Sequence, residues 1–256
     1  MRLCALGSGS RGNATIIDSG ETRLLIDCGF AAKELTLRAE QIGFDLNTLD
    51  AILVTHEHSD HIKGVGPVAR RYDTPVWATH GTLRTGKCGK LAEVNTFHPH
   101  EDSFNIGDIH ITPIPVPHDA LEPCQFVFTS KNMKLGILTD LGCITPHITE
   151  AFQQLDMLLL ECNHDTQMLI DGPYSLSLQQ RVGGNHGHLN NDQAISLLQS
   201  IKTEQLQHLV LGHLSEQNNH PDCVKQLMDE HCDDLIGRYS ILQQDSVSDW
   251  FSISPQ

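Results

Sequence analysis

Thr55-His56-Glu57-His58-Ser59-Asp60-His61 follows directly on the apolar run Ala51-Ile52-Leu53-Val54. The apolar run has the length and residue types of a buried strand. In an extended loop beyond it, residues two apart point the same way, so His56 and His58 can turn toward one metal ion. Asp60 and His61 stand where the chain should turn into a helix, and they can aim at a second ion nearby. Imidazole and carboxylate together suit Zn(II), and also Mn(II) or Fe(II). The competing reading is a solvated polar turn, but chance rarely sets this pattern just beyond a buried strand.

The composition agrees with metal chemistry. Of 256 residues 16 are His, almost as many as the 17 Lys and Arg together, and a histidine surplus near carboxylates suggests metal ligands. The formal net charge of −15 excludes a generally basic nucleic-acid binder, so contact with a polyanion needs metal ions or a local basic patch. The 39% hydrophobic content supports a core and argues against disorder. No apolar stretch is long enough for a membrane span, and the first residues do not resemble a secretion signal. The expected location is therefore the cytoplasm, with no membrane partner. The eight cysteines include no Cys-x-x-Cys pair and are expected to be reduced thiols.

Outward from the metal loop, strands and helices alternate. Met1 to Asp27 reads as strands joined by a glycine-rich loop and a tight turn. Lys33–Ile42 and Ile62–Tyr72 have helical spacing, and Pro75–Ala78 is a short strand. A second strand-rich half begins near Phe104 and includes Ile109–Val116, Phe126–Thr129, Leu135–Asp140, Met157–Glu161 and Leu209–Leu211. Asn190 or Asn191 caps a helix reaching about Ile201. Pro221 to about Glu230 is a further helix, and Gly237–Ile253 reads as two strands. Asp171–Gly187 is the least regular segment and is expected to be a mobile excursion beside the site. The halves, roughly 1–100 and 101–256, have no low-complexity linker between them. The expectation is an α/β (α+β) chain forming a single domain over 1–256, with two mixed sheets face to face and helices outside.

The His-x-His-x-Asp-His stretch resembles the main motif of the metallo-β-lactamase-fold hydrolases, and the other motifs of that superfamily follow in order. Asp27 ends the second strand of the opening hairpin. His118 lies in Val116-Pro117-His118-Asp119, Asp140 in Thr139-Asp140-Leu141-Gly142, and His213 in Leu211-Gly212-His213-Leu214-Ser215. The resemblance implies a four-layer αββα sandwich. It also implies two divalent ions, one held by His56, His58 and His118, the other by Asp60, His61 and His213. Asp140 would bridge them, and Asp27 would support the metal loop.

Within the superfamily, β-lactamases usually place Cys where Asp140 stands. The 73 residues from Asp140 to His213 leave no room for a large inserted domain. The chain most resembles the YycJ/WalJ/VicX branch, through Gly7-Ser8-Gly9-Ser10-Arg11-Gly12-Asn13, Pro117-His118-Asp119-Ala120, Gly187-His188-Leu189 and His213-Leu214-Ser215. Glu161-Cys162-Asn163-His164 is also similar to a tRNase Z signature. The resemblance implies a dinuclear phosphodiesterase acting on nucleic acid, expected to be a DNA exonuclease leaving 5′-phosphates. Asp60 belongs to its catalytic set, and His188, oriented by Glu161, is the candidate acid for the leaving oxygen. A small ester or thioester hydrolase of the glyoxalase II type would share the ligands, and a regulatory module is the third reading.

Other signals are weaker. Gly7–Gly12 fits G-x-G-x-x-G, but a strand follows where a dinucleotide site needs a helix. His98-Pro99-His100-Glu101-Asp102 imitates the metal motif without a strand before it. Arg84, Lys87 and Lys90, with Asn190 and Ser215, are the candidate substrate contacts.

Overall fold

A computed structural model describes residues 1–255. Two seven-stranded sheets are built on one plan. In the first sheet, β1 (Arg2–Gly7), β2 (Ala14–Asp18) and β3 (Arg23–Ile26) run antiparallel, and β4 (Ala51–Leu53), β5 (Val76–Thr79) and β6 (Val94–Phe97) continue parallel from β3. In the second, β7 (Phe104–Ile106), β8 (Ile109–Pro115), β9 (Cys124–Ser130) and β10 (Met133–Leu138) are antiparallel. From β10, β11 (Met157–Glu161), β12 (His208–Gly212) and β13 (Tyr239–Ile241) run parallel. β14 (Phe251–Ser252) crosses back to pair with β1, so the two expected C-terminal strands end in different sheets.

β2 and β11 are buried at every position, as strands covered on both faces must be. Between the sheets pack Leu3, Ile17, Leu24 and Leu53 from one side and Phe126, Phe128, Leu135 and Val210 from the other. On the outer face of the first sheet lie α1 (Ala32–Gln41), α2 (Ser59–Ile62) and α3 (Val65–Tyr72), through Leu35, Ala39, Ile62, Val65 and Val68. On that of the second lie α5 (Pro146–Ala151), α8 (Asn191–Ser200) and α9 (Pro221–His231), through Ile148, Leu197, Leu198, Val224 and Met228. The result is the four-layer αββα arrangement. α4 (His80–Arg84), α6 (Thr166–Asp171) and α7 (Leu176–Val182) complete the helices among the described residues.

Two local expectations need correction. The helix expected over Ile62–Tyr72 begins earlier, at Ser59, and breaks around Gly64. A side chain at Gly64 would collide with the Phe30 carbonyl, so this position keeps glycine and interrupts the helical run. The Asp171–Gly187 excursion, read as irregular, contains the seven-residue helix α7, started by the Ser175 side chain accepting from Leu178 N. Its Gly-Pro and Gly-Gly punctuation lies at the ends of the helix and hid it.

All eight cysteines are free thiols. Among the described residues no helix is long and apolar enough to cross a membrane.

Candidate metal centre

The parallel strands point their carboxyl ends to one edge, where open sheets gather their ligand sites. β3 delivers Asp27, β4 the 55–61 loop, β8 His118, β10 Asp140, β11 Glu161 and β12 His213. Asp27, Asp140 and His213 all have left-handed backbones, with φ of 60°, 55° and 57°. Such conformations cost non-glycine residues about 1–3 kcal/mol each and persist where the surroundings impose them. Three of them at strand ends around one point mark a site rather than ordinary turns.

The ligand-type atoms converge. His56, His58 and His118 form one group whose donor atoms lie within 4.8 Å of one another, and Asp60, His61 and His213 form a second. Asp140 joins both: it groups with His56 and His61, and again with Glu161, His188 and His213. The structure thus brings together all seven residues singled out in the sequence.

Hydrogen bonds fix which ring nitrogen each histidine presents. Thr55 Oγ1 donates to Asp27 at 2.8 Å and lies 2.9 Å from His56 Nδ1. His61 Nδ1 lies 2.8 Å from the same Asp27 oxygen, Oδ2, and His213 Nδ1 lies 2.7 Å from Glu161 Oε1. His118 Nδ1 donates to the Gly187 carbonyl at 2.9 Å. All four rings therefore turn Nε2 inward, the orientation that outer partners impose on metal ligands. His58 is turned the other way: its Nε2 is 3.2 Å from the Asp119 carbonyl, and its Nδ1 faces His118 Nε2 at 3.2 Å.

Divalent ions fit this centre. His56 Nε2 and Asp140 Oδ2 are buried without a hydrogen-bond partner among the described residues, although orphaned buried polar atoms are costly. Both face the gap between the trios. The donor set, imidazole and carboxylate oxygen, is that of Zn(II), Mn(II) and Fe(II) sites.

The protonation states divide the centre. Burial and the neighbouring His61 hold His56 well below the usual histidine range, and burial lowers His118 as well. Burial would lower His61 and His213 too, but carboxylates overcome it. Asp140 and Asp27 raise His61 well above the ordinary value, and Asp140 and Glu161 raise His213 to about 9. For Glu161, burial opposes the charge, yet His188 and His213 hold its carboxyl down at about 2.

Beside the ligands lies a histidine–glutamate pair. His188 Nδ1 is 2.9 Å from Glu161 Oε1, and Glu161 also accepts from the backbone of Asp140 and Leu189. Gly142 lets the Asp140 loop press against 184–187, because a side chain there would strike the backbone of Gly184, Asn185 and Gly187. A cleft of about 130 Å³ opens over Asp60, His188, His213 and Ser215.

The remaining candidates scatter. Lys87 donates to the Glu57 carbonyl at 3.2 Å, which sets its ammonium against the metal loop. Arg84 and Lys90 are exposed, and Arg70 grips the Lys90 carbonyl. Asn190 lies outside that cleft, and its side chain caps α8 in a reciprocal pair with Gln193, the role that its position before an apolar-periodic run also allowed. His110 is exposed and bonded to Asn105, and the His98–Asp102 segment is a turn.

Sequence reading missed four contributors. Thr55 links Asp27 to His56. Ser8 Oγ accepts from His213 N at 2.8 Å, and Asn13 Nδ2 lies 3.1 Å from His61 Nε2, so the glycine-rich loop packs on the centre. Asp119 meets His58 on one side and Arg181 Nε, at 2.5 Å, on the other. All four lie in stretches already quoted for their motifs, but nothing local reveals a contact with residues as far as 205 positions away.

The chain belongs to the beta-lactamase superfamily, whose domain matches residues 22–213. It is 35% identical to the exodeoxyribonuclease YycJ of Bacillus anthracis over 86% of this chain and 84% of that one. It is 34% identical to the exodeoxyribonuclease WalJ of Streptococcus pneumoniae serotype 2 (strain D39) over 84% of this chain and 81% of that one. Among solved structures, the metallo-β-lactamase fold protein YhfI of Bacillus subtilis superposes with a TM-score of 0.73 at 17% identity, covering 97% of this chain and 99% of that one. That last likeness concerns the fold.

Proposed function

We propose that this chain is a two-metal-ion nuclease that acts on DNA from an end and leaves 5′-phosphates, working in the cytoplasm. The observation that carries the reading is the convergence of two ligand trios on Asp140, next to the His188–Glu161 pair. The YycJ and WalJ relatives, similar over more than four fifths of the chain, support the nucleic-acid substrate and the exonucleolytic mode.

His56, His58 and His118 would hold one ion, Asp60, His61 and His213 the other, and Asp140 both; Zn(II) is the first choice, with Mn(II) and Fe(II) as substitutes. Bound there, divalent ions supply an activated water at neutral pH and neutralise phosphate charge, which a chain of net charge −15 otherwise repels. Asp27, through His61 and Thr55, and Glu161, through His213, keep the inward nitrogens aimed. A water that has given up one proton to solvent would add at phosphorus in line with the leaving 3′ oxygen, and His188 would donate its proton to that oxygen. Glu161, anionic at neutral pH, holds His188 in place through its 2.9 Å contact with Nδ1. Lys87 and Ser215 are positioned to meet phosphate oxygens.

The test offers end-labelled duplex DNA and a thioester to the Zn(II)- or Mn(II)-loaded protein. Cleavage of DNA that is lost in Asp140→Ala is expected. Turnover of the thioester alone would replace the nuclease with a small-ester hydrolase, a class that the acidic charge suits. Ion binding with no turnover of either would point to a regulatory module. His188→Ala should slow alkyl phosphodiesters far more than activated aryl ones; equal slowing would remove His188 from the proton-donor role.

A further inference from the structure

α7 places no residue in the core, and Leu176 is 77% exposed. A seven-residue helix is too short to be stable by itself, so something other than core packing accounts for its position. Three ties fix it beside the metal centre. Arg181 pairs with Asp119, Gln179 Nε2 donates to the Ile170 and Tyr174 carbonyls, and the Val182 carbonyl at its end accepts from His188 N at 2.8 Å. The last bond sets the helix in register with the candidate proton donor.

What α7 presents to the cleft is apolar. Leu178 and Val182, four residues apart within the helix, share a face, and Tyr174, just before the helix, joins them at the cleft. All three line the cleft together with Asp60, His213 and Ser215, and all three are half-buried. The lining thus combines groups that suit a phosphate with an apolar set that suits a flat ring and a sugar. Aromatic residues are 5% of the chain, too few for a continuous stacking groove, but the cleft needs only one ring.

We propose that the Tyr174–Leu178–Val182 face is a platform for one nucleoside of the strand being cut, with the base stacked on Tyr174 and the sugar against Leu178 and Val182. The proposal rests on the nuclease reading and deepens it. Stacking reads no sequence, since every base has a π-face, so the platform selects for the presence of a base and not for its identity. It also registers the neighbouring phosphate over the metal centre through the bond between Val182 and His188.

The experiment compares duplex DNA with matched duplexes carrying a tetrahydrofuran abasic unit at either nucleotide flanking the scissile phosphate. The enzymes are the metal-loaded wild type, Tyr174→Ala and Tyr174→Phe. For the wild type, KM should rise about ten-fold on one of the two abasic duplexes, within the range typical of one stacked base. Tyr174→Ala should raise KM on intact DNA by about the same factor and add nothing on that abasic duplex, while Tyr174→Phe keeps the wild-type pattern. Equal losses for Tyr174→Ala on intact and abasic DNA, or no loss on either, would overturn the platform while leaving the nuclease intact. Failure of the wild type to cut any duplex would instead remove the nuclease reading, and the platform's occupant with it. Unchanged melting temperatures confirm that the variants are folded.

Discussion

The two ligand trios are chemically alike and physically different. His56 and His118 are oriented by neutral groups, the Thr55 hydroxyl and the Gly187 carbonyl, and burial holds them unprotonated. His61 and His213 are oriented by the buried carboxylates Asp27 and Glu161 and hold protons far more tightly. A neutral imidazole can bind an ion at once, whereas a protonated one must first lose its proton. The comparison implies unequal loading: the His56 side takes its ion first, and the His61 side takes one only with proton release. Once bound, the carboxylate-backed ligands are the stronger donors, because the outer anion raises their basicity.

Asp140→Ala should have the largest effect. It removes the one residue common to both trios, so activity should fall by more than the roughly 100-fold that outer partners command, and metal analysis should show both sites depleted. Retention of two tightly bound ions would break the shared-ligand picture. Chelation of the wild type should mimic this loss and be reversed by Zn(II) or Mn(II).

Next come the outer carboxylates. Glu161→Gln should weaken one ion by about 10–100-fold and leave the other nearly unchanged in a two-step calorimetric titration. Equal weakening of both would erase the distinction between trios.

The pH dependence sharpens the same point. His213 is raised to about 9 in the metal-free protein, so uptake of the second ion should strengthen as pH rises from about 6.5 toward 9, with measurable proton release. For the metal-free fold the sign is opposite. A raised histidine pKa stabilises fully below the unfolded value and the contribution is lost as pH rises through the folded one. Its melting temperature should therefore fall between about pH 6.5 and 9, and flat melting across that range would contradict the assignment.

The smallest effect should come from Arg181→Ala. Arg181 is 58% exposed, and exposed ion pairs contribute about 0.2–1 kcal/mol. Even though Asp119 touches His58, activity should change only a few-fold, and less at high salt. A loss as large as that of Glu161→Gln would mean that the His58 side is also held by charge.

His56, His58, Asp60 and His61 were legible in the sequence because they follow an apolar strand and residues two apart in an extended loop share a direction, whereas His118, Asp140 and His213 were assigned through the resemblance to the superfamily's motifs. The alternating halves likewise foretold two sheets, since hydrophobic runs of strand length need burial on both faces. The helix α7 was not legible: it buries nothing in the core, so it leaves no apolar stripe to read. Asn190 could be read either as a cap or as a substrate contact, and only its side-chain bond to Gln193 shows the capping role.

By itself the sequence determined the apolar strands and the metal-binding character of the 55–61 loop, because strand periodicity and ligand chemistry are local properties, and the resemblance to known motifs supplied the remaining candidates. Tertiary structure decided which nitrogen each ring offers, which histidines keep their protons, and where Tyr174 stands. Those depend on buried partners such as Asp27 for His61 and Glu161 for His213, brought together from distant parts of the chain where burial removes the screening of water.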